Sequence, residues 1–191
     1  MQTIGDAVEE YVDPDSVTSG NFANEDDSKR AFVEAFKATD CFNIYEEIDC
    51  WYFGGSVFGD KPTGRIDYVL APRKRLIDAG WRMGIIGIEV KKSGHKAGPL
   101  ICQMIDYSKA VFRLPDACGA SMVCLSSVCC FPGITHCGYA IGSIMCQHRL
   151  GNVIVKKQRT MIQVGSTNMF SLSDRGIECR FINSGYKNGS R

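Results

Sequence analysis

The sequence predicts an α/β fold in which a mixed central sheet is flanked by helices. Three observations lead there. Helical and strand patterns follow one another in the order helix, three strands, helix, strand, which a layered sheet-and-helix domain produces. The third predicted strand, MGIIGIEVKKS around 83–92, begins almost continuously apolar, as a strand buried on both faces in mid-sheet does. The segment after it carries apolar residues at helical spacing, so a helix should pack on that sheet.

Each element has its own reason. Asp26, Asp27 and Ser28 supply cap-type side chains ahead of SKRAFVEAFKAT, where Ala31, Phe32, Ala35 and Phe36 recur at helical spacing; this predicts a helix over about 28–39. FNIYEEIDCWYF is aromatic and β-branched and closes on Gly54-Gly55, a strand ending in a turn. RIDYVLAP, around 65–71, is a second strand stopped at Pro72. Gly94 ends the third. Pro99 suits a first helical turn, and LICQMIDYSKAVF places Leu100, Ile101, Met104, Ile105, Val111 and Phe112 on one apolar face, predicting a helix over about 98–113. ASMVCLSSVCC predicts a fourth strand. For GYAIGSIMCQHRLGNVIVKKQRTMIQV, periodicity leaves open a helix followed by strands or a run of strands.

A chain of 191 residues with 45% apolar and 23% charged side chains can bury a core as one domain without disulfides or metals. No internal repeat is present. The expected organisation is an acidic N-terminal arm over 1–27, a folded domain over 28–182 and a fraying tail, NSGYKNGSR, over 183–191. No stretch approaches the roughly 18 consecutive apolar residues of a membrane span. The start, MQTIGDAVEEYVDPD, lacks the basic and apolar runs of a secretory signal, so a cytoplasmic protein with no membrane partner is expected. The ten cysteines are then expected as thiols, mostly small core hydrophobes. They include no Cys-x-x-Cys pair, so neither a structural zinc nor an iron–sulfur cluster is expected. His136 and His148 are expected to make local hydrogen bonds.

The net charge of +1 conceals an asymmetry. Residues 1–27 hold eight acids and no Lys or Arg, leaving 22 basic against 13 acidic side chains in residues 28–191. A basic body favours a polyanionic partner such as nucleic acid, although charge speaks to association and not to chemistry. Two basic groups, Arg73-Lys74-Arg75 and Lys156-Lys157-Arg159, are candidates for phosphate contacts that would fix register without reading sequence. The first connects the two strands that carry the charged residues described next, and with Lys92 it forms the expected substrate-binding set.

Asp67 interrupts one apolar strand, and Glu89 and Lys91 interrupt the end of another. Charged groups there need partners or a metal, because a buried unpaired carboxylate is costly. Side chains two apart in a strand share a face, so Glu89 and Lys91 point together and Val90 points into the opposite layer. On neighbouring strands all three charges would converge. Two carboxylates and a carbonyl oxygen form a hard-oxygen site suited to Mg²⁺ or Mn²⁺, beside which a lysine can orient water or offset negative charge, the equipment of phosphodiester hydrolysis. Gly64 permits a tight turn into the Asp67 strand. Gln103 and Tyr107, four apart, share one face of the following helix.

In Gly64-Arg65-Ile66-Asp67, Glu89-Val90-Lys91 and Gln103-Met104-Ile105-Asp106-Tyr107 the sequence resembles the three successive motifs of the PD-(D/E)XK nuclease superfamily, in its RecB and lambda exonuclease type branch. The match covers roughly residues 28–130. The resemblance implies a restriction-endonuclease-like αβββαβ core, a Mg²⁺- or Mn²⁺-dependent nuclease acting on DNA, and metal held by Asp67, Glu89 and the Val90 carbonyl. It implies Lys91 as the catalytic lysine, Gln103 and Tyr107 as positioning groups, and Glu34 as the upstream acid, with Glu46 and Glu47 as substitutes. Two features depart from it: Ile66 stands where the family name has Pro, and no His precedes Glu34. The competing expectations are a structure-specific endonuclease of the Holliday-junction resolvase type, which would act as a symmetric homodimer, and a non-catalytic nucleic-acid-binding or inhibitor protein on the same fold.

Overall fold

A computed structural model describes residues 21–52, 61–116, 119–134, 139–156, 159–164, 168–173 and 176–181. The elements are α1 (Glu25–Thr39), β1 (Phe42–Tyr52), β2 (Gly64–Pro72), α2 (Lys74–Asp78), β3 (Ile86–Val90), α3 (Ala97–Ser108), β4 (Ala110–Asp116), β5 (Gly119–Cys124), β6 (Ser127–Phe131), α4 (Tyr139–Gln147), β7 (Leu150–Lys156), β8 (Arg159–Val164), β9 (Asn168–Ser173) and β10 (Gly176–Phe181). The strands form one sheet in the order β10-β9-β8-β7-β6-β3-β2-β1-β4-β5. β3–β6 and β6–β7 pair in parallel and β1–β2 and β2–β3 antiparallel, so the sheet is mixed and the fold is α/β. Among the described residues no helix is long and apolar enough to cross a membrane.

Two apolar layers sandwich the sheet. On one face Phe32 and Phe36 of α1 and Leu76 of α2 pack with Tyr68, Leu70, Ile86, Ile88, Val90 and Phe131. On the other, Leu100, Ile101, Met104 and Tyr107 of α3 and Met145 of α4 pack with Cys50, Val69, Val128, Cys130 and Leu150. All five residues of β3 are buried, as its apolar run predicts for a strand covered on both faces.

Several boundaries differ from expectation. α1 starts at Glu25, because Asn24 is its cap and accepts from the Asp27 N–H at 2.8 Å. Phe22 is also part of the body: its ring lies 5.6 Å from that of Phe131, and its N–H donates to Ser93 Oγ at 2.9 Å. An arm over 1–27 is therefore too long by at least six residues; residues 1–20 and the tail lie outside the described residues. The helix expected over 98–113 ends at Ser108, and Ala110–Asp116 is a strand. Ala110, Phe112 and Leu114 are buried while Arg113 is exposed, a period-two pattern that adjoins the helical one and resembles its continuation. ASMVCLSSVCC is two strands, since β5 pairs with β4 toward the sheet edge while β6 inserts beside β3. Beyond Gly138 the helix-then-strands alternative is the observed one.

Candidate active site

The site forms where β2 and β3 part. Their pairing runs through Leu70↔Ile86, Val69↔Gly87 and Tyr68↔Ile88. Past that point the Val90 N–H donates to Asp67 Oδ2 at 2.7 Å, so a side-chain carboxylate takes the place of a ladder partner. Lys91 is held by continued pairing with β6, its N–H donating to the Phe131 carbonyl at 2.8 Å. The alternation expected for Glu-Val-Lys is observed: Val90 lies in the α1-side layer, and the Lys91 ammonium donates to Glu89 Oε1 at 2.5 Å.

Both acids are buried, Asp67 at 9% exposure and Glu89 at 3%. Among the described residues Glu89 Oε2 has no hydrogen-bond partner, an uncommon condition for a buried carboxylate oxygen. Burial first, and then the charge of Asp67, push the Glu89 carboxyl up to about 7 against the opposing pull of Lys91. Burial acts to lower the Lys91 pKa, but the hydrogen bond and charge of Glu89 outweigh it and leave it raised.

α1 brings residues that the sequence reading did not assign to the site. The Lys29 ammonium lies 2.6 Å from Asp67 Oδ1, 3.0 Å from Glu47 Oε1 and 3.7 Å from Glu25 Oε1, and Glu25 also reaches Lys91 at 4.0 Å. Glu25, Lys29, Phe32 and Phe36 recur at helical spacing, so Lys29 is a charge set into the apolar stripe of α1. That is the signal that singled out Asp67 and Glu89 on their strands, and it was readable here too. Glu34, expected as the upstream acid, does not face the site: it is exposed and lies about 140° around the helix from Lys29 at 3.6 residues per turn. Of the two substitutes on β1, Glu47 reaches the site through Lys29. It has φ 53, a left-handed conformation that costs a non-glycine residue about 1–2 kcal/mol. It falls between the pairs Glu46↔Tyr68 and Ile48↔Ile66, level with Asp67, and strain of this kind collects at functional sites.

Gln103 and Tyr107 share a face as expected. Gln103 Nε2 donates to the Tyr107 hydroxyl at 3.0 Å, and that hydroxyl donates to the Arg65 carbonyl at 2.5 Å. The pair thereby fixes the start of β2, two residues before Asp67. Burial, followed by the charge of Glu89, raises the Tyr107 pKa, so the hydroxyl remains a donor.

The basic groups are placed otherwise than expected. Arg73-Lys74-Arg75 follows the far end of β2, six residues or about 20 Å of strand from Asp67. Arg73 is ion-paired with Asp40, and Lys74 Nζ stands 2.8 Å from Asp78. That loop joins the two site strands at their opposite end, which removes the geometric reason for substrate contact. Lys92 is exposed directly beside the site, and Lys96, also exposed, precedes α3 in the same loop. β7 runs parallel to β6 and β3, so its last residue, Lys156, paired with Arg159 of β8, lies toward the Lys91 end of the sheet; Lys157 lies outside the described residues.

No three His, Cys, Asp or Glu side chains cluster to hold a metal unaided among the described residues. That does not count against Mg²⁺, which is ordinarily bound by one or two carboxylates with water and substrate phosphate completing its shell. Asp67 and Glu89 supply two carboxylates, and the unpartnered Glu89 oxygen fits a hard cation. The Val90 N–H donates to Asp67 Oδ2, and the Val90 carbonyl is the third ligand that the resemblance implies. Among the described cysteines, 41, 50, 129 and 130 are buried, whereas 102, 124 and 146 are exposed, so burial does not account for all of them.

Comparison with protein-family models, with curated proteins and with solved structures finds no match in any of the three.

Proposed function

We infer that this protein is a divalent-metal-dependent nuclease of the PD-(D/E)XK type that hydrolyses phosphodiester bonds, with DNA as substrate. The observation that carries the reading is the convergence of buried Asp67 and Glu89 from adjacent strands, with Lys91 on one Glu89 oxygen and, among the described residues, no partner on the other. The order α1, antiparallel β1–β2–β3, then α3 and the parallel β6 supports a restriction-endonuclease-like αβββαβ core, with β4 and β5 as an edge addition.

Bound Mg²⁺ or Mn²⁺ would polarise a phosphoryl oxygen and acidify water. Asp67 and Glu89 would hold the ion. Lys91, half-buried beside Glu89, offsets the negative charge that develops on the phosphate in the transition state. Gln103 and Tyr107 hold the start of β2, and with it Asp67, in place. Lys92, next to Lys91, and Lys96, in the loop before α3, are exposed and would contact phosphates without sequence preference.

A second reading, a non-catalytic nucleic-acid-binding protein on the same fold, is favoured by one observation: Lys29 already neutralises Asp67. One experiment separates the two. Linear, circular and branched DNA and RNA are offered with Mg²⁺, Mn²⁺ or EDTA to wild type and to Asp67→Asn, Glu89→Gln and Lys91→Ala, with circular dichroism confirming the fold. Metal-dependent cleavage should fall about 10²-fold or more in each variant, the usual scale for losing such a group. Cleavage at wild-type rates in all three would place the site elsewhere, and binding without cleavage in any metal would favour the second reading.

A further inference from the structure

Lys29 has no part in the sequence motifs, yet it sits at the centre of the site's acids. Its ammonium meets Asp67 of β2, Glu47 of β1 and Glu25 of its own helix within 4 Å. Three carboxylates converging from a helix and two strands on one positive charge is the arrangement proteins make around a cation. Asp67 has no spare oxygen, since Oδ1 takes Lys29 and Oδ2 takes the Val90 N–H. A divalent ion bonded to Oδ1 at about 2.1 Å would share that atom's lone pairs with the ammonium and repel it at close range.

We propose that Lys29 is an intramolecular counter-cation that occupies Asp67 in the metal-free protein and competes with the divalent ion for it. On metal binding the ammonium gives up Asp67 Oδ1 and is retained by Glu47 and Glu25, which lie on its other sides. Glu47, turned by its left-handed backbone, already accepts from Lys29. The competition sets metal affinity low and keeps two neighbouring carboxylates from facing each other bare in the empty site. This inference rests on reading Asp67 and Glu89 as the metal site.

The test is calorimetric titration of Mn²⁺ into metal-stripped wild type, Lys29→Met, Lys29→Arg and Asp67→Asn, with thermal melts in EDTA and in Mn²⁺. Wild type should bind Mn²⁺ in an Asp67-dependent way. Lys29→Met should bind about 10-fold tighter or more, because a like charge beside the ion is removed, while Lys29→Arg stays within about 3-fold of wild type because the charge is kept. Lys29→Met should also melt lower in EDTA and gain more from Mn²⁺ than wild type does. Lys29→Gln, which keeps a donor to Asp67 without the charge, carries the same expectation should Lys29→Met not fold. If the neutral variants bind no tighter while wild-type binding remains Asp67-dependent, the counter-cation role is overturned and the metal-site reading stands. If wild type and Asp67→Asn bind alike, the metal-site reading fails and the proposal fails with it.

Discussion

Glu89 is buried beside a second carboxylate, and burial foremost lifts its carboxyl from the usual 4.5 to about 7. A group whose folded pKa is raised contributes stability that is full below its unfolded pKa and is lost as pH rises through the folded one. In EDTA the protein should therefore melt lower at pH 8 than at pH 5, and Glu89→Gln should flatten that part of the profile. A variant that keeps the wild-type slope would assign the pH dependence to another group. Tyr107→Phe removes the hydroxyl that joins Gln103 to the Arg65 carbonyl, at a cost of about 1 kcal/mol, or roughly 2–4 °C in Tm for a chain of this size. Turnover should fall by less than in Lys91→Ala, because the hydroxyl acts through the position of β2; an equal loss would put Tyr107 on the substrate. Asp67, Glu89 and Lys91 were legible in the sequence as charges that break apolar strands. Glu34 entered through the resemblance alone, whereas the apolar spacing of Phe32 and Phe36 sets the phase of α1 toward Lys29.

Elements were legible where one periodicity ran alone, as in β2, β3 and α1, and blurred where two adjoined, as at Ser108–Ala110. The basic loop after β2 shows a different limit: sequence proximity to both site strands says nothing about which end of the sheet the connection occupies, and antiparallel pairing puts it at the wrong one. Neutralising Arg73, Lys74 and Arg75 should accordingly leave DNA affinity and its salt slope unchanged, while neutralising Lys92 and Lys96 should weaken binding and reduce the slope by about one unit for each phosphate that is no longer neutralised. Filter binding across a salt series distinguishes the two sets, and the reverse outcome would move the interface to the α2 end. Packing between β7 and β8 gives a test of the fold itself. A Cβ at Gly151 would lie 2.1 Å from the Gln163 carbonyl oxygen and 2.8 Å from Cys129 Sγ. Backbone cannot give way cheaply there, so Gly151→Ala should cost about 3 kcal/mol in urea denaturation; a cost under about 1 kcal/mol would show that these strands lie further apart.

Over the whole molecule, charge is divided along the chain, and residues 1–20 carry five acids with no Lys or Arg. The body they join begins beside the site, where Phe22 is stapled to Ser93 two residues after Lys91. Deleting residues 1–20 should leave the fold intact and tighten DNA binding at low salt, an effect that fades above about 0.5 M as the Debye length shrinks to a few ångströms. Deleting through Asn24 should in addition lower Tm, since it removes the Phe22–Phe131 contact and the α1 cap, itself worth about 1 kcal/mol. Equal melting of the two truncations would show that the staple contributes nothing. The parting of β2 from β3 has one more consequence, for observation. Because the Val90 amide proton is shared with a carboxylate that would also hold the metal, its NMR resonance and its exchange with solvent deuterium should respond to whatever occupies Asp67. If the proposed site takes a metal, the amide in the middle of the sheet would report directly whether it is filled.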